Sequence, residues 1–124
     1  MSIKFALLDD LRRAAARLAE VLKLEKTDVV RDSAIKRFEL CFDLAWKCIQ
    51  IQARTEGIEC NSPRSCLKVA FQIKLVDYDE TWLKMLDDRN LSVHAYKEKY
   101  ADEIYGRLPL YAEMLTRLVG ILSK

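Results

Sequence analysis

The stretch Ile35-Lys36-Arg37-Phe38-Glu39-Leu40-Cys41-Phe42-Asp43-Leu44-Ala45-Trp46-Lys47-Cys48-Ile49 decides the fold. Ile35, Phe38, Phe42, Ala45 and Ile49, continued by Gln52, recur at alternating steps of three and four residues. That spacing draws one stripe along an α-helix. Cys41 and Trp46 widen the stripe, which predicts a helix buried on a broad face. Capping residues cluster at Thr27-Asp28 and at Asp32-Ser33, and either pair can start it. It is expected to run to about Thr55, with Gly57 as its stop.

The same period extends in both directions. Leu8, Leu11, Ala15, Leu18 and Leu22 predict a first helix over about residues 3–24, with Arg12, Arg13 and Arg17 on its solvated face. Asn61-Ser62-Pro63 is a clear helix start, because a side-chain oxygen can cap free amides and proline suits the first turn. It opens a short helix, about 63–74, carrying Cys66, Leu67, Ala70 and Phe71. Asp79 is a cap for a fourth helix, with Trp82, Leu83, Met85 and Leu86 inward, running toward Leu91 or His94. The last segment, Lys97 to Leu122, repeats Ile104, Leu108, Tyr111, Leu115, Leu118 and Leu122. Pro109 lies inside that pattern and predicts a kink or break near 106–108. The expected class is all-α: an antiparallel up-down four-helix bundle, four long or medium helices plus one short one.

Composition agrees. The 124 residues suit one domain, 1–124, and 51% hydrophobic with 32% charged residues suits a globular chain. Three glycines and two prolines are too few for the turns of an all-β fold. A net charge of +2 excludes a bulk electrostatic case for nucleic acid. One histidine leaves little room for a His-based metal cage, and no metal or cofactor is expected. Acidic residues interrupt the N-terminal apolar run too early for a signal peptide, and no segment reaches membrane-span length. The expected compartment is the cytoplasm, and Cys41, Cys48, Cys60 and Cys66 are expected to be free, small apolar side chains.

Candidate chemistry concentrates in Asp87-Asp88-Arg89-Asn90-Leu91-Ser92-Val93-His94-Ala95-Tyr96. Asn90 and His94, four apart, share a helix face, as do Arg89 and Tyr96, seven apart. Arg89 and His94 are five apart, and a straight helix separates them by about 140°. They meet only if the long Arg chain bends, the helix loosens near Ser92, or a second subunit brings its own copy. The residue types suit a phosphodiester: an arginine fork for phosphate oxygens and an imidazole to move a proton. Asp87-Asp88 reads as a solvated pair, and Tyr100, Tyr105 and Tyr111 as rings with hydroxyls at the rim. Arg37 or Glu39 can reach Arg89 across the bundle, while Lys97, Lys99 and Arg107 are candidates for a basic groove.

Ile35–Lys47 resembles the second-helix signature of the nucleotidyltransferase substrate-binding proteins, a family in the HEPN superfamily. Arg89, His94 and Tyr96 resemble its Arg–four residues–His–one residue–Tyr element, with Asn90 directly after the arginine. Ser62-Pro63-Arg64, Ala70-Phe71 and Trp82–Leu86 follow in the same order. The resemblance implies a helical bundle, a homodimer, and a partner: a minimal nucleotidyltransferase encoded nearby. It further implies a metal-independent endoribonuclease toxin, with RNA cleavage by Arg89 and His94, Asn90 in support, and silencing by AMP transfer to Tyr96. The alternative it carries is a non-catalytic subunit that binds nucleotide or another substrate for the enzyme.

Overall fold

A computed structural model describes residues 2–124. Among these residues five α-helices follow one another: α1 Ile3–Val21, α2 Asp28–Thr55, α3 Pro63–Gln72, α4 Glu80–Leu91 and α5 Glu98–Leu122. A single 3-10 turn, Ser92–His94, lies between α4 and α5, and no strand occurs among the described residues.

The helix starts are local and follow the capping residues. Thr27 accepts from the Val30 amide at 3.1 Å, so the first of the two expected starts begins α2. Ser62 and Ser65 form a reciprocal capping box in front of Pro63. Asp79 accepts from the Thr81 amide at 2.8 Å, and that bond to the charged form holds its carboxyl below the usual range. Past α2, Gly57 takes φ 76°, a left-handed backbone that a side chain disfavours.

Long-range contacts set the directions. Arg12 of α1 meets Ser123 at 3.1 Å, and Lys26, just past α1, meets Asp102 of α5 at 3.2 Å, so α1 and α5 run oppositely. Arg31 bonds Asp102 at 3.0 Å, and the Phe38 ring stacks on Tyr111 with centroids 5.5 Å apart, so α2 and α5 run parallel. Asp88 of α4 meets Tyr111 and Arg107 while Trp82 lies beside Leu118, so α4 opposes α5. The expected up-down bundle is therefore built from α1, α2, α4 and α5, with α3 as the short extra helix. Leu11, Leu18, Phe38, Phe42, Ile49, Met85, Ile104, Leu108 and Leu115 are fully buried along it. Each contributes roughly 1.5–3 kcal/mol of burial. Among the described residues, no helix is long and apolar enough to cross a membrane.

Two expectations require correction. Helix α5 is continuous through Pro109, so of the kink or break expected there the break does not occur. Proline removes one amide, but Pro109 is exposed, so water can satisfy the carbonyl it deprives. Buried Leu108, Tyr111, Ala112 and Leu115 hold both halves of the helix against the core. Second, Cys60 and Cys66 are joined by a disulfide and are not free thiols. The chain reverses at Asn61 into α3 and brings their Cα atoms to 5.1 Å, within bridging range. Cys41 and Cys48 are free and buried as expected, and burial pushes their thiols up to about 12 and about 11.

Candidate functional site

The candidate segment begins where α4 ends. Ser92 caps α4, and the helix tightens there into the 3-10 turn Ser92–His94. The α-helical geometry thus changes at Ser92, by tightening and not by loosening, and Arg89 and His94 are not brought together within the chain. The cause of the tightening is visible in the side chain. The Ser92 hydroxyl lies 2.6 Å from the Arg89 carbonyl and 2.5 Å from Glu39 Oε2, and its one proton is divided between them. Serine bonding back onto its own helix competes with the helical ladder.

Arg89 turns away from the turn and toward α2. Its Nε and Nη2 donate to the two oxygens of Asp43, each at 3.0 Å, in a bidentate fork. Its Nη1 donates to Glu39 Oε2 at 3.2 Å and to Ser92 Oγ at 3.3 Å. The bond to Asp43, followed by the field of both carboxylates, raises the guanidinium above its ordinary pKa despite partial burial. Glu39 also lies 3.5 Å from Lys36 Nζ. Of the two α2 residues considered for this contact, Glu39 makes it, while Arg37 donates to the Arg17 carbonyl at 2.8 Å. Asp43 escaped the sequence reading. The signal was there: Glu39 and Asp43 are four apart, two acids on one helix face.

Asn90, His94 and Tyr96 are exposed, and none makes a side-chain hydrogen bond among the described residues. The His94 and Tyr96 rings sit edge to face with centroids 6.3 Å apart. Tyr96 is 78% exposed. Beside it a shallow depression of about 240 Å³ is lined by Asp32, Ile35, Lys36, Glu39, Ser92, Ala95 and Tyr96. The structure thus gathers Arg89, Ser92, Glu39 and Asp43 into one clamp and His94 with Tyr96 into an open pair.

Behind the clamp, Asp88 is 1% exposed and is not the solvated residue that its neighbour Asp87 is. It receives Arg107 Nε at 2.7 Å and Nη2 at 2.8 Å, and the Tyr111 hydroxyl at 2.5 Å. Tyr111 is 1% exposed, so its hydroxyl lies inside the bundle and not at the rim. Burial, then the Asp88 carboxylate, drives the phenol above its usual range. Arg107 is bound to Asp88 and does not serve a basic groove. The physical reason is shared: a carboxylate taken from water needs paired donors, and Arg107 and Tyr111 supply them. No group of three or more His, Cys, Asp or Glu is placed to hold a metal among the described residues.

Comparison with known proteins fits this architecture. A crystal structure from Thermus thermophilus superposes with a TM-score of 0.86 at 39% identity, covering 92% of this chain and 99% of that one. A Haemophilus influenzae structure, described as the fold of a substrate binding domain of a nucleotidyltransferase, gives 0.72 at 18% identity over 98% of both chains. That second likeness concerns the fold alone. A search of the curated proteins returned no match. The family model described as "Nucleotidyltransferase substrate binding protein like" matches residues 6–124, nearly the whole bundle including the clamp and the open pair, and the chain belongs to that family.

Proposed function

We propose that this chain is the substrate-binding partner of a separate minimal nucleotidyltransferase and that it offers the Arg89–Tyr96 segment to that enzyme. The supporting observation is the open pair, His94 and Tyr96, standing in solvent on a turn whose base is pinned by Arg89. A pinned turn keeps exposed groups in one place at little entropic cost on binding. The fork of Arg89 is occupied by Asp43, so in this reading Arg89 positions the segment and does not itself contact phosphate.

The exposed imidazole and phenol support a second reading, a metal-independent endoribonuclease toxin of HEPN type silenced by AMP transfer to Tyr96. In it His94 removes the proton of the RNA 2′-hydroxyl, whose oxygen attacks the adjacent phosphorus. The P–O5′ bond breaks as the P–O2′ bond forms a 2′,3′-cyclic phosphate, the 5′-oxygen takes its proton from water, Arg89 holds the phosphate once freed from Asp43, and Asn90 supports the site. A homodimer would set two such segments in one groove. AMP on Tyr96 would put bulk and negative charge two residues from His94.

One pair of assays separates these readings. Purified chain, His94→Ala and Arg89→Ala are incubated with RNA in chelator. RNA loss only with the unsubstituted chain supports the nuclease, whereas equal loss in all three, or none, supports the binding subunit. Mass spectrometry after co-expression with the nucleotidyltransferase tests for AMP on Tyr96. An unmodified Tyr96 removes the silencing step.

A further inference from the structure

A second depression lies on the α1–α2 face, next to the clamp but outside it. It has a volume of about 370 Å³ and is lined by Ala14, Arg17, Lys36, Arg37 and Leu40. Its floor is apolar. Ala14 belongs to the core, while Leu40 is 57% exposed, a large aliphatic side chain left in water on an otherwise charged surface. Its rim is cationic. Arg37 is held in place by its bond to the Arg17 carbonyl, and the Arg17 guanidinium has no ion pair or hydrogen bond among the described residues. Lys36 makes an ion pair with Glu39 at 3.5 Å and has Asp32 four residues before it on α2, and no acid lines the depression itself. Lys36 also lines the 240 Å³ depression beside Tyr96, so the two hollows adjoin at this residue.

Three cations around an apolar floor match a ligand with a flat, weakly polar body and an attached anion. The volume falls in the range of small-molecule sites, roughly 300–1,000 Å³. A single nucleic-acid strand fits less well. Beyond Lys36 the surface meets Asp32 and Glu39, which repel a continuing backbone.

We propose that the α1–α2 depression binds a nucleoside phosphate, with Arg17, Lys36 and Arg37 on the phosphates and the base on Ala14 and Leu40. The choice of a nucleotide among flat anions rests on the reading of this chain as a nucleotidyltransferase partner. The site would bring a nucleotide beside Tyr96.

Calorimetric titration of the isolated chain tests this. The probes are AMP, ATP, adenosine, inorganic phosphate and a short single-stranded RNA. The variants are Arg17→Ala and Leu40→Asp, with Arg54→Ala as a control, and circular dichroism confirms their helicity. All three positions are exposed, so the bundle is expected to persist. AMP and ATP should saturate, with adenosine and phosphate each binding more weakly. Arg17→Ala should weaken AMP about tenfold, as loss of one charge-assisted contact does. Leu40→Asp should abolish binding, and Arg54→Ala should leave it unchanged. Absence of saturation by AMP and ATP overturns the proposal. So does binding indifferent to Arg17 and Leu40, or RNA binding with which AMP does not compete. Because no nucleotidyltransferase is present, the result is independent of whether Tyr96 is modified or RNA is cut.

Discussion

Arg89 and Asp43, 46 residues apart in sequence, face each other through two parallel hydrogen bonds of 3.0 Å. This fork ties the end of α4 to the middle of α2, and Glu39 reinforces it at 3.2 Å. The residue that sequence assigns to phosphate chemistry is thus also a structural tie.

Stability and function should therefore separate within the candidate site. Asp43→Ala is expected to cost about 1–2 kcal/mol, between the values for exposed and buried pairs, because both partners retain some solvent access. His94→Ala should stay within about 0.5 kcal/mol, as an exposed side chain without partners. Urea unfolding reads both, and an unchanged slope confirms that only stability moved. A large loss with His94→Ala would contradict its open placement.

The Asp88 cluster should be more sensitive. Asp88→Ala leaves the Arg107 guanidinium and the Tyr111 hydroxyl without their common acceptor, and about 3 kcal/mol is expected. Tyr111→Phe removes one donor and keeps the ring against Phe38, so about 1 kcal/mol is expected. Thermal unfolding of the two variants should preserve that order.

The Cys60–Cys66 bridge closes a short loop, so its effect on the unfolded chain is modest, about 2 kcal/mol. Melting with and without reductant should show this difference, and Cys60→Ser should show none. In denaturant without reductant, thiol reagents should find Cys41 and Cys48 alone.

Alkaline pH should destabilise the fold through its free thiols. Folding raises Cys41 to about 12 and Cys48 to about 11, above the ordinary thiol value of about 9. The folded state therefore holds protons that the unfolded chain releases. This contribution is fully present below about pH 9 and is lost as pH rises through 11 and 12. Cys41→Ala should make the decline between pH 9 and 12 shallower, as measured by denaturant midpoints.

What was legible in the chain was local. Thr27, Ser62 and Asp79 announce their helices because a cap needs only the next two or three amides. The apolar stripes of α1, α2 and α5 mark the core because helical period alone selects the buried face. The segment Arg89–Tyr96 was legible as a concentration of chemistry, and Ser92 as one place where its helix could change. Geometry across the bundle was not. Pro109 marks a break by local rules, yet exposure and the packing of Leu108 and Tyr111 keep α5 whole.

The sequence by itself determined an all-helical bundle, its helix starts and where its candidate segment lies, since these depend on neighbours within a turn or two. Only the tertiary structure decided that Cys60 meets Cys66, that Asp88 is buried under Arg107 and Tyr111, and that Arg89 is held by Asp43 while His94 and Tyr96 stay in water. Those outcomes depend on which side chains are close in space, and whether a charge is paired or solvated is settled by groups tens of residues away.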